Sequence, residues 1–335
     1  MESKARPARP SAGSGAASGA GSSAASGAGS SAASGAGSGA AVPPCAVSGA
    51  APRAASGAET RAADRPARIR LVATDLDGTL LRSDETISGR TRDVLARLEP
   101  AGVDLVFITA RPPRWMAPIA AMTGHSGVAI CANGAITYDL RAGRVVDERP
   151  LPGEAALEIV RRLREAVPGG TFAVESAGGF ACEPGHLQHQ WDSEIDPRTG
   201  DVVELLASPA IKLLFGRADW TADRLLAVAV AAVGDLAEVT HSNPERSAIE
   251  MSALGVSKAT TLARLCAGRG IDASEVLAFG DMPNDLPMLA WAGRAVAVAN
   301  AQPLVLAAAS RVAASNDQDG VARVLEELLG ELSAR

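Results

Sequence analysis

Two aspartates, Asp75 and Asp77, directly follow Ile69 to Thr74, an apolar segment with the composition of a buried strand. If that strand ends at the carboxyl edge of a sheet, both carboxylates lie where open α/β sheets bind ligands. Two ionised carboxylates this close repel each other unless a cation or a proton lies between them, so the pair indicates a divalent metal ion. Gly78 allows a sharp turn beneath the ion. An ordinary Asp-Gly turn is the alternative.

A second apolar segment, Val103 to Ile108, runs into Thr109 and Ala110. A hydroxyl and adjacent backbone amides at that point can hold an anion just before a helix begins. A threonine that only caps the helix explains the same pattern equally well.

Lys258 is more informative, because the other lysines of this arginine-rich chain are Lys4 and Lys212. A compact ammonium can lie as a point charge between a carboxylate and a phosphoryl oxygen. The alternative is a solvated lysine at the start of a helix.

A further strand segment, Val276 to Phe279, leads into the sequence GDMPND at 280–285. Pro283 suits the first turn of a helix, and Asn284 can present its amide to an anion. An aspartate cap with an acidic first turn is the alternative. Taken together, strand ends that carry carboxylates, a hydroxyl and a lysine are hard to explain by structure alone.

Elements of two kinds must position these residues. From Ile69 onward, short apolar strands alternate with amphipathic helices, which predicts an α/β fold with a Rossmann-like parallel sheet. Beyond the segments above, a strand is predicted at 295–298 and helices at 90–98, around 262–265 and around 321–329. The middle of the chain has a different order of predicted elements. Strands are expected near Phe172, near Phe180 and at 211–215, and helices at 154–166 and from Ala222. This mixture predicts an inserted α+β cap domain at 150–245, within a core formed by 68–149 and 246–335.

Residues 1–67 are rich in Ala, Gly and Ser and repeat an eight-residue unit, so we expect a disordered tail. The net charge of -6 argues against nucleic acid as a partner. The longest clean apolar run, Leu225 to Val233, is too short to span a bilayer. The four cysteines have neither metal-site spacing nor the density of a disulfide-stapled domain, which favours the reducing cytoplasm.

The motifs, in this order, resemble those of the haloacid dehalogenase superfamily and, more narrowly, of its Cof-type phosphatases with a class IIB cap. The resemblance covers about 68–330 and rests on four strings: DLDGTLL at 75–81, ITARP around Thr109, GVSKA around Lys258, and GDMPND at 280–285. Supporting strings are NGA from Asn133, VANA from Val298 and SNDQDGV from Ser315.

The resemblance implies that Asp75 is a nucleophile that attacks phosphorus and that Asp77 is the acid and base. It implies a Mg²⁺ ion held by Asp75, Asp281 and the backbone carbonyl of Asp77. The groups expected to bind the phosphoryl oxygens are Thr109, Lys258, Asn284 and the backbone N–H groups near Leu76 and Ala110. Lys258 thereby acts in catalysis, and Asp285 is expected to orient Lys258 or a metal-bound water.

We therefore expect a Mg²⁺-dependent phosphatase that acts on a small phosphorylated metabolite, such as a sugar phosphate, a flavin-pathway intermediate or pyridoxal phosphate. A phosphotransferase or phosphomutase on the same scaffold is one alternative, and a non-catalytic regulator that binds a phosphate ligand is another. Retention of both Asp75 and Asp77 argues against the regulator. The oligomeric state is left open.

Recognition of the leaving group is expected from the inserted segment, within Gly178 to Asp192. This stretch contains Phe180, His186, His189 and Trp191, which can stack and hydrogen-bond. The alternative is that these residues only pack the cap. The four histidines lack zinc-site spacing with an acidic partner, so we expect a surface or cap-loop role for them in place of a zinc site: His125, His186, His189 and His241. Trp115 and Trp291 lie in helical stretches and are expected to be packing residues.

Overall fold

The computed structural model describes residues 67–176, 178–186, 197–243 and 246–334. Of the tail predicted at 1–67, residues 1–66 lie outside the described ranges. His189 and Trp191 also lie outside them. Within the described ranges, none of the helices has the length and apolar character that crossing a bilayer requires.

The first of two sheets contains the predicted parallel strands. Its strands, labelled in chain order, are β1 (Leu71–Thr74), β2 (Asp104–Ile108), β3 (Val128–Cys131), β4 (Ile136–Asp139), β5 (Arg144–Glu148), β12 (Val276–Gly280), β13 (Arg294–Val298) and β14 (Arg311–Ala313). Their order in the sheet is β14-β13-β12-β1-β2-β3-β4-β5. The strands from β14 to β3 run parallel, whereas β4 and β5 add an antiparallel hairpin at one edge that the sequence analysis missed.

Helices flank this sheet, as its buried strands require. They are α1 (Gly89–Leu95), α2 (Met116–Thr123), α6 (Lys258–Gly268), α7 (Leu286–Trp291), α8 (Pro303–Ala308) and α9 (Gly320–Ser333). Every residue of β1 is buried, and the fully buried Phe107 and Phe279 lie in register with Thr74 on the two neighbouring strands. Since β12, β1 and β2 are adjacent and parallel, the residues that follow them meet at one edge of the sheet.

The second sheet is mostly antiparallel, with the order β10-β11-β9-β6-β7-β8. It consists of β6 (Thr171–Ser176), β7 (Gly179–Cys182), β8 (Arg198–Thr199), β9 (Ala210–Gly216), β10 (Ala237–Thr240) and β11 (Ala248–Ala253), with helices α3 (Gly153–Ala166), α4 (Val202–Leu205) and α5 (Ala222–Val233). Together with the first sheet, it confirms an α/β fold with a parallel core sheet and an α+β portion.

The chain changes sheets at two places. The Arg149 amide donates to Ala135 beside the first sheet, and the Leu151 amide donates to Ala210 in the second. The chain returns to the first sheet later than residue 246, where the second core segment was predicted to begin. β11 still belongs to the second sheet, because it pairs with β9 and β10. Ile249 and Met251 are buried apolar residues with the period-two spacing of a strand in that sheet. We therefore place the end of the proposed cap domain after Ala253.

Candidate active site

Lys258 lies at the centre of the site as the first residue of α6. Ser257 caps this helix by accepting a hydrogen bond from a backbone N–H of the first turn. A Cβ at Gly134 would lie 2.3 Å from the Ser257 carbonyl oxygen, so only glycine allows the loop after β3 to approach the helix start. The Lys258 ammonium is 2% exposed and lies 2.7 Å from Asp75 Oδ1 and 2.7 Å from Asp285 Oδ1. The lysine therefore bridges two strand ends.

Three buried carboxylates, those of Asp75, Asp281 and Asp285, each place an oxygen within 4.8 Å of the others. Burial raises the pKa of Asp75 well above its ordinary range; Lys258 opposes this, and the neighbouring carboxylates add to it. Burial and the charge of Asp285 raise the pKa of Asp281 to about 7, although the Thr79 hydroxyl donates to Asp281 at 2.7 Å. Burial alone would lower the pKa of Lys258, but Asp285 and Asp75 raise it above its ordinary value. One ammonium thus faces more negative charge than it can balance.

A divalent cation fits this cluster, because clustered carboxylate oxygens are the donors that Mg²⁺ prefers. Gly78 borders the cluster in the left-handed conformation, with φ of 77°, and a Cβ there would lie 2.4 Å from Asp281 Oδ2. Any other residue at this position would crowd that oxygen. In the part of the chain that the structure describes, this is the one group of acidic, histidine or cysteine side chains close enough to share a metal ion.

Asp77 is not part of this cluster and is held by Arg111. The Arg111 Nε lies 2.8 Å from Asp77 Oδ2, and Nη2 lies 2.5 Å from Oδ1. Arg111 is 6% exposed whereas Asp77 is 50% exposed, so a buried guanidinium presents a carboxylate to the solvent side. Burial opposes the charge of Arg111, but the contact with Asp77 raises the pKa of Arg111 above its ordinary value. The Arg111 guanidinium therefore stays charged at every working pH.

A chain of polar contacts joins the second sheet to the loops of the first. Lys212 Nζ donates to the Ala110 carbonyl at 2.6 Å and lies 3.2 Å from Glu250 Oε2. Asn133 Nδ2 donates to Glu250 at 2.5 Å, and Asn284 Nδ2 donates to Asn133 Oδ1 at 3.1 Å. Burial alone would raise the pKa of Glu250, but Lys212 holds it below its ordinary value. The buried ion pair thus reaches both the loop after β2 and the loop after β12.

A cavity of about 220 Å³ opens beside these residues. Both sheets and their loops line it, with Asp75, Asp77, Glu85, Ala110, Arg111, Pro112, Arg114, Trp115, Glu175, Phe180, Lys212, Leu214, Ser242, Asn243, Arg246, Glu250, Lys258, Met282 and Asn284. The Arg114 guanidinium lies 5.1 Å from the centre of the Trp115 ring and 5.6 Å from that of Phe180, and it forms an ion pair with Glu175.

The structure brings most of the predicted site residues to this cavity or just behind it. Those that line it are Asp75, Asp77, Ala110, Lys258 and Asn284. Those that lie behind it are Leu76, Thr109 and Asp281, all of them buried. The Thr109 hydroxyl accepts a hydrogen bond from the Arg111 N–H at 3.0 Å, and Asp285 contacts Lys258 as expected. The chemical roles of these residues stay predictions.

The stretch expected to recognise the leaving group is described only in part. Phe180 lines the cavity. His186, in the loop after β7, is buried and does not line it; its Nδ1 lies 3.3 Å from the hydroxyl of Thr171 on β6. Trp115, expected to be a packing residue, instead lies half-buried on the cavity wall.

His125, His241 and Trp291, none of them expected in the site, have ordinary surroundings. His125 packs edge-on against Phe107, and His241 Nε2 lies 3.1 Å from Asp223 Oδ1. Trp291 packs against the hydrophobic core. The histidines of the described ranges therefore show no zinc cluster.

The sequence analysis missed several charged residues of the cavity wall: Arg111, Arg114, Glu175, Lys212 and Glu250. The rarity of lysine in this chain was a usable signal for Lys212, as it was for Lys258. For Arg111, the usable signal was its position directly after Thr109 and Ala110, which were predicted to bind the phosphoryl oxygens. Glu175 and Glu250 lie on strands far apart in the sequence, and no local pattern marks them.

Known proteins resemble this chain in sequence and in fold. The model of the haloacid dehalogenase-like hydrolase family matches residues 72–325. The chain is 29% identical over 273 residues to the pyridoxal phosphate phosphatase YbhA of Escherichia coli, covering 76% of this chain and 97% of that protein. It is 29% identical over 264 residues to the 5-amino-6-(5-phospho-D-ribitylamino)uracil phosphatase YcsE of Bacillus subtilis, covering 77% and 94%. A crystal structure of a haloacid dehalogenase-like hydrolase from Bacteroides thetaiotaomicron superposes with a TM-score of 0.64 at 27% identity, covering 78% and 100%.

Proposed function

The chain belongs to the haloacid dehalogenase-like hydrolase family, and on that premise we propose that it is a Mg²⁺-dependent phosphatase that forms an aspartyl-phosphate on Asp75. The observation that carries this proposal is the position of Lys258, whose buried ammonium contacts both Asp75 and Asp285 beside the cavity. A lysine held by two carboxylates and facing a small cavity can receive a phosphoryl oxygen without moving.

Asp75 and Asp281 are the proposed side-chain ligands of Mg²⁺, together with the backbone carbonyl of Asp77. When bound, the ion would offset the negative charge of the carboxylates and of the phosphoryl oxygens. The raised pKa values of Asp75 and Asp281 support this assignment, because carboxylates that burial makes costly to ionise gain most from a cation. Asp285 stays with Lys258, since its second oxygen already accepts the backbone N–H groups of Asp281 and Met282.

The reaction proceeds in two displacements at phosphorus. A carboxylate oxygen of Asp75 forms a bond to phosphorus while the bond to the ester oxygen breaks, and Asp77 gives its proton to that oxygen. Asp77 then takes a proton from water as the water oxygen attacks the same phosphorus, which breaks the bond to Asp75 and releases inorganic phosphate. Arg111 orients Asp77 toward the cavity in both steps, since it grips both carboxylate oxygens.

The loop after β2 is proposed to bind the phosphoryl oxygens through Thr109 and the Ala110 N–H. The Thr109 carbonyl accepts the Asn133 N–H at 3.1 Å, so the Ala110 N–H of the same trans peptide points the opposite way. The next peptide is held by Lys212 at its carbonyl and by the Thr109 hydroxyl at its N–H. Lys258, Asn284 and the N–H near Leu76 complete the proposed set, which stabilises charge on the oxygens during transfer.

The proposed substrate is a small phosphorylated metabolite, which suits a cavity of about 220 Å³. Sugar phosphates, flavin-pathway intermediates and pyridoxal phosphate remain candidates, and the names of the two phosphatases above favour the last two classes. We propose that the enzyme acts in the cytoplasm, which agrees with the thiols of Cys131 and Cys266, since neither forms a disulfide.

The test is a panel of phosphate esters from these classes, assayed with Mg²⁺ for release of inorganic phosphate. We expect at least one ester to be hydrolysed by the wild type and none by Asp75→Asn. The matched control is Asp93→Asn, which removes an exposed carboxylate on α1 and is expected to keep the wild-type rate. Transfer of phosphate to an added alcohol with no free phosphate would indicate a phosphotransferase instead. Wild-type rates in Asp75→Asn would refute the proposal.

A further inference from the structure

Five basic residues line the cavity, and four of them form ion pairs with acidic residues of the same wall. Four ion pairs line the cavity: Lys258 with Asp75, Arg111 with Asp77, Arg114 with Glu175, and Lys212 with Glu250. Arg246 also lines the cavity, and it forms no ion pair or side-chain hydrogen bond with any residue that the structure describes. The positive charge of Arg246 is thus available to a ligand bound in the cavity.

Arg246 comes from the loop between β10 and β11, on the proposed cap. Its backbone N–H donates to the Asn243 carbonyl at 3.3 Å, which ties it to a loop whose Ser242 and Asn243 also line the cavity. The side chain is half-buried, so it is partly shielded from water while it faces the cavity. Arginine presents a rigid fork of donors that matches the oxygens of a carboxylate or a phosphate.

We propose that Arg246 binds a second acidic group, which the leaving group of the phosphate ester carries. This inference rests on the proposed function: Lys258 and Asp75 receive the phosphoryl group, so the leaving group occupies the rest of the cavity, where Arg246 lies. The chemistry of the second group is that of a carboxylate or a second phosphate. A neutral leaving group would leave the Arg246 charge without a partner and gain nothing from it.

The test uses three pairs of esters whose members differ mainly by an acidic group. They are glycerol phosphate and phosphoglycerate, phenyl phosphate and carboxyphenyl phosphate, and fructose monophosphate and fructose bisphosphate. The first two pairs report on a carboxylate and the third on a phosphate. We expect the wild type to have a higher kcat/KM for the acidic member of at least one pair, with a preference of about 10-fold to 100-fold, the range for a hydrogen bond to a charged group.

Three variants decide the origin of that preference. Arg246→Gln should remove it by lowering kcat/KM for the acidic ester while the neutral partner changes less than about threefold. Arg246→Lys should retain part of it, because the charge stays and the fork is lost. Arg144→Ala, which removes an exposed arginine on β5 away from the cavity, should leave it unchanged.

Hydrolysis of the panel without preference in any pair would overturn this inference and leave the phosphatase proposal standing. Parallel losses for both members of a pair in Arg246→Gln would overturn it too, because they indicate a structural role. Inactivity of the wild type toward all six esters and toward the wider metabolite panel would overturn both proposals.

Discussion

Replacing Lys258 with methionine tests how the buried carboxylates are balanced. The ammonium is 2% exposed and contacts Asp75 and Asp285 at 2.7 Å each, and those side chains are 6% and 0% exposed. Methionine has nearly the same length but no charge, so Lys258→Met leaves two buried carboxylates without the positive charge that balances them. Because the pKa of Lys258 is raised above its ordinary 10.5, its stabilising effect is complete at neutral pH and is lost only as the pH rises through the folded value.

Removing one partner of a buried ion pair costs about 3–5 kcal/mol. At about 2–4 °C per kcal/mol for a chain of this size, we expect Lys258→Met to melt at least about 6 °C below the wild type at neutral pH without metal. The loss should shrink at pH 5, because Asp75 and Asp281, whose pKa values are already raised, take up protons there. It should also shrink when Mg²⁺ is added.

A double variant separates charge from packing. Asp285→Asn keeps an oxygen that can accept the N–H groups of Asp281 and Met282, but it removes the charge. Lys258→Met combined with Asp285→Asn should therefore be more stable than Lys258→Met alone, by about 1–3 kcal/mol in urea unfolding. Equal stability of the single and double variants, or a loss that does not change with pH, would refute the electrostatic explanation.

Three further outcomes are expected. Asp77→Asn should abolish turnover while circular dichroism shows a folded protein, because its carboxylate acts on protons; a rate close to that of the wild type would contradict the acid–base role. Chelation should remove activity, and Mg²⁺ should restore much more of it than Ca²⁺, whose looser coordination misplaces the in-line attack; equal rescue would argue against the ligand set. The pKa of Glu250 lies below its ordinary 4.5, so its contribution to stability is present above pH 4.5 and is lost as the pH falls through the folded value. The stabilities of wild type and Glu250→Gln, measured by urea unfolding, should therefore differ at pH 7 and converge in acid, and a difference independent of pH would be evidence against the buried ion pair.

The parts of the site that the sequence predicts are those attached to strand ends. Asp75, Thr109 and Asp281 each follow a continuous apolar run, and parallel strands that are neighbours must deliver such residues to one edge. Lys258 could be singled out by its rarity. Local patterns were therefore enough to predict the carboxylate cluster and the loop after β2.

Contacts between the two sheets could not be predicted in the same way. The Lys212 contact with Ala110 spans 102 residues, and the Asn133 contact with Glu250 spans 117. No periodicity within either strand specifies such a partner, because the choice depends on how the second sheet lies over the first. The antiparallel pair β4 and β5 was missed for a related reason: it is a short edge hairpin whose second strand is fully exposed and has no apolar face.

The identity of the phosphorylated residue is tested most directly by trapping it. An active ester from the panel is mixed with excess enzyme and Mg²⁺, quenched in acid within the first turnover, and reduced with borohydride, which converts an aspartyl-phosphate to homoserine. Mass spectrometry of the peptide that contains residues 71–82 then locates the change. We predict homoserine at position 75 in the wild type and an unmodified peptide in Asp75→Asn. Modification at Asp77, or turnover by wild-type enzyme with no trapped residue, would contradict Asp75 as the nucleophile.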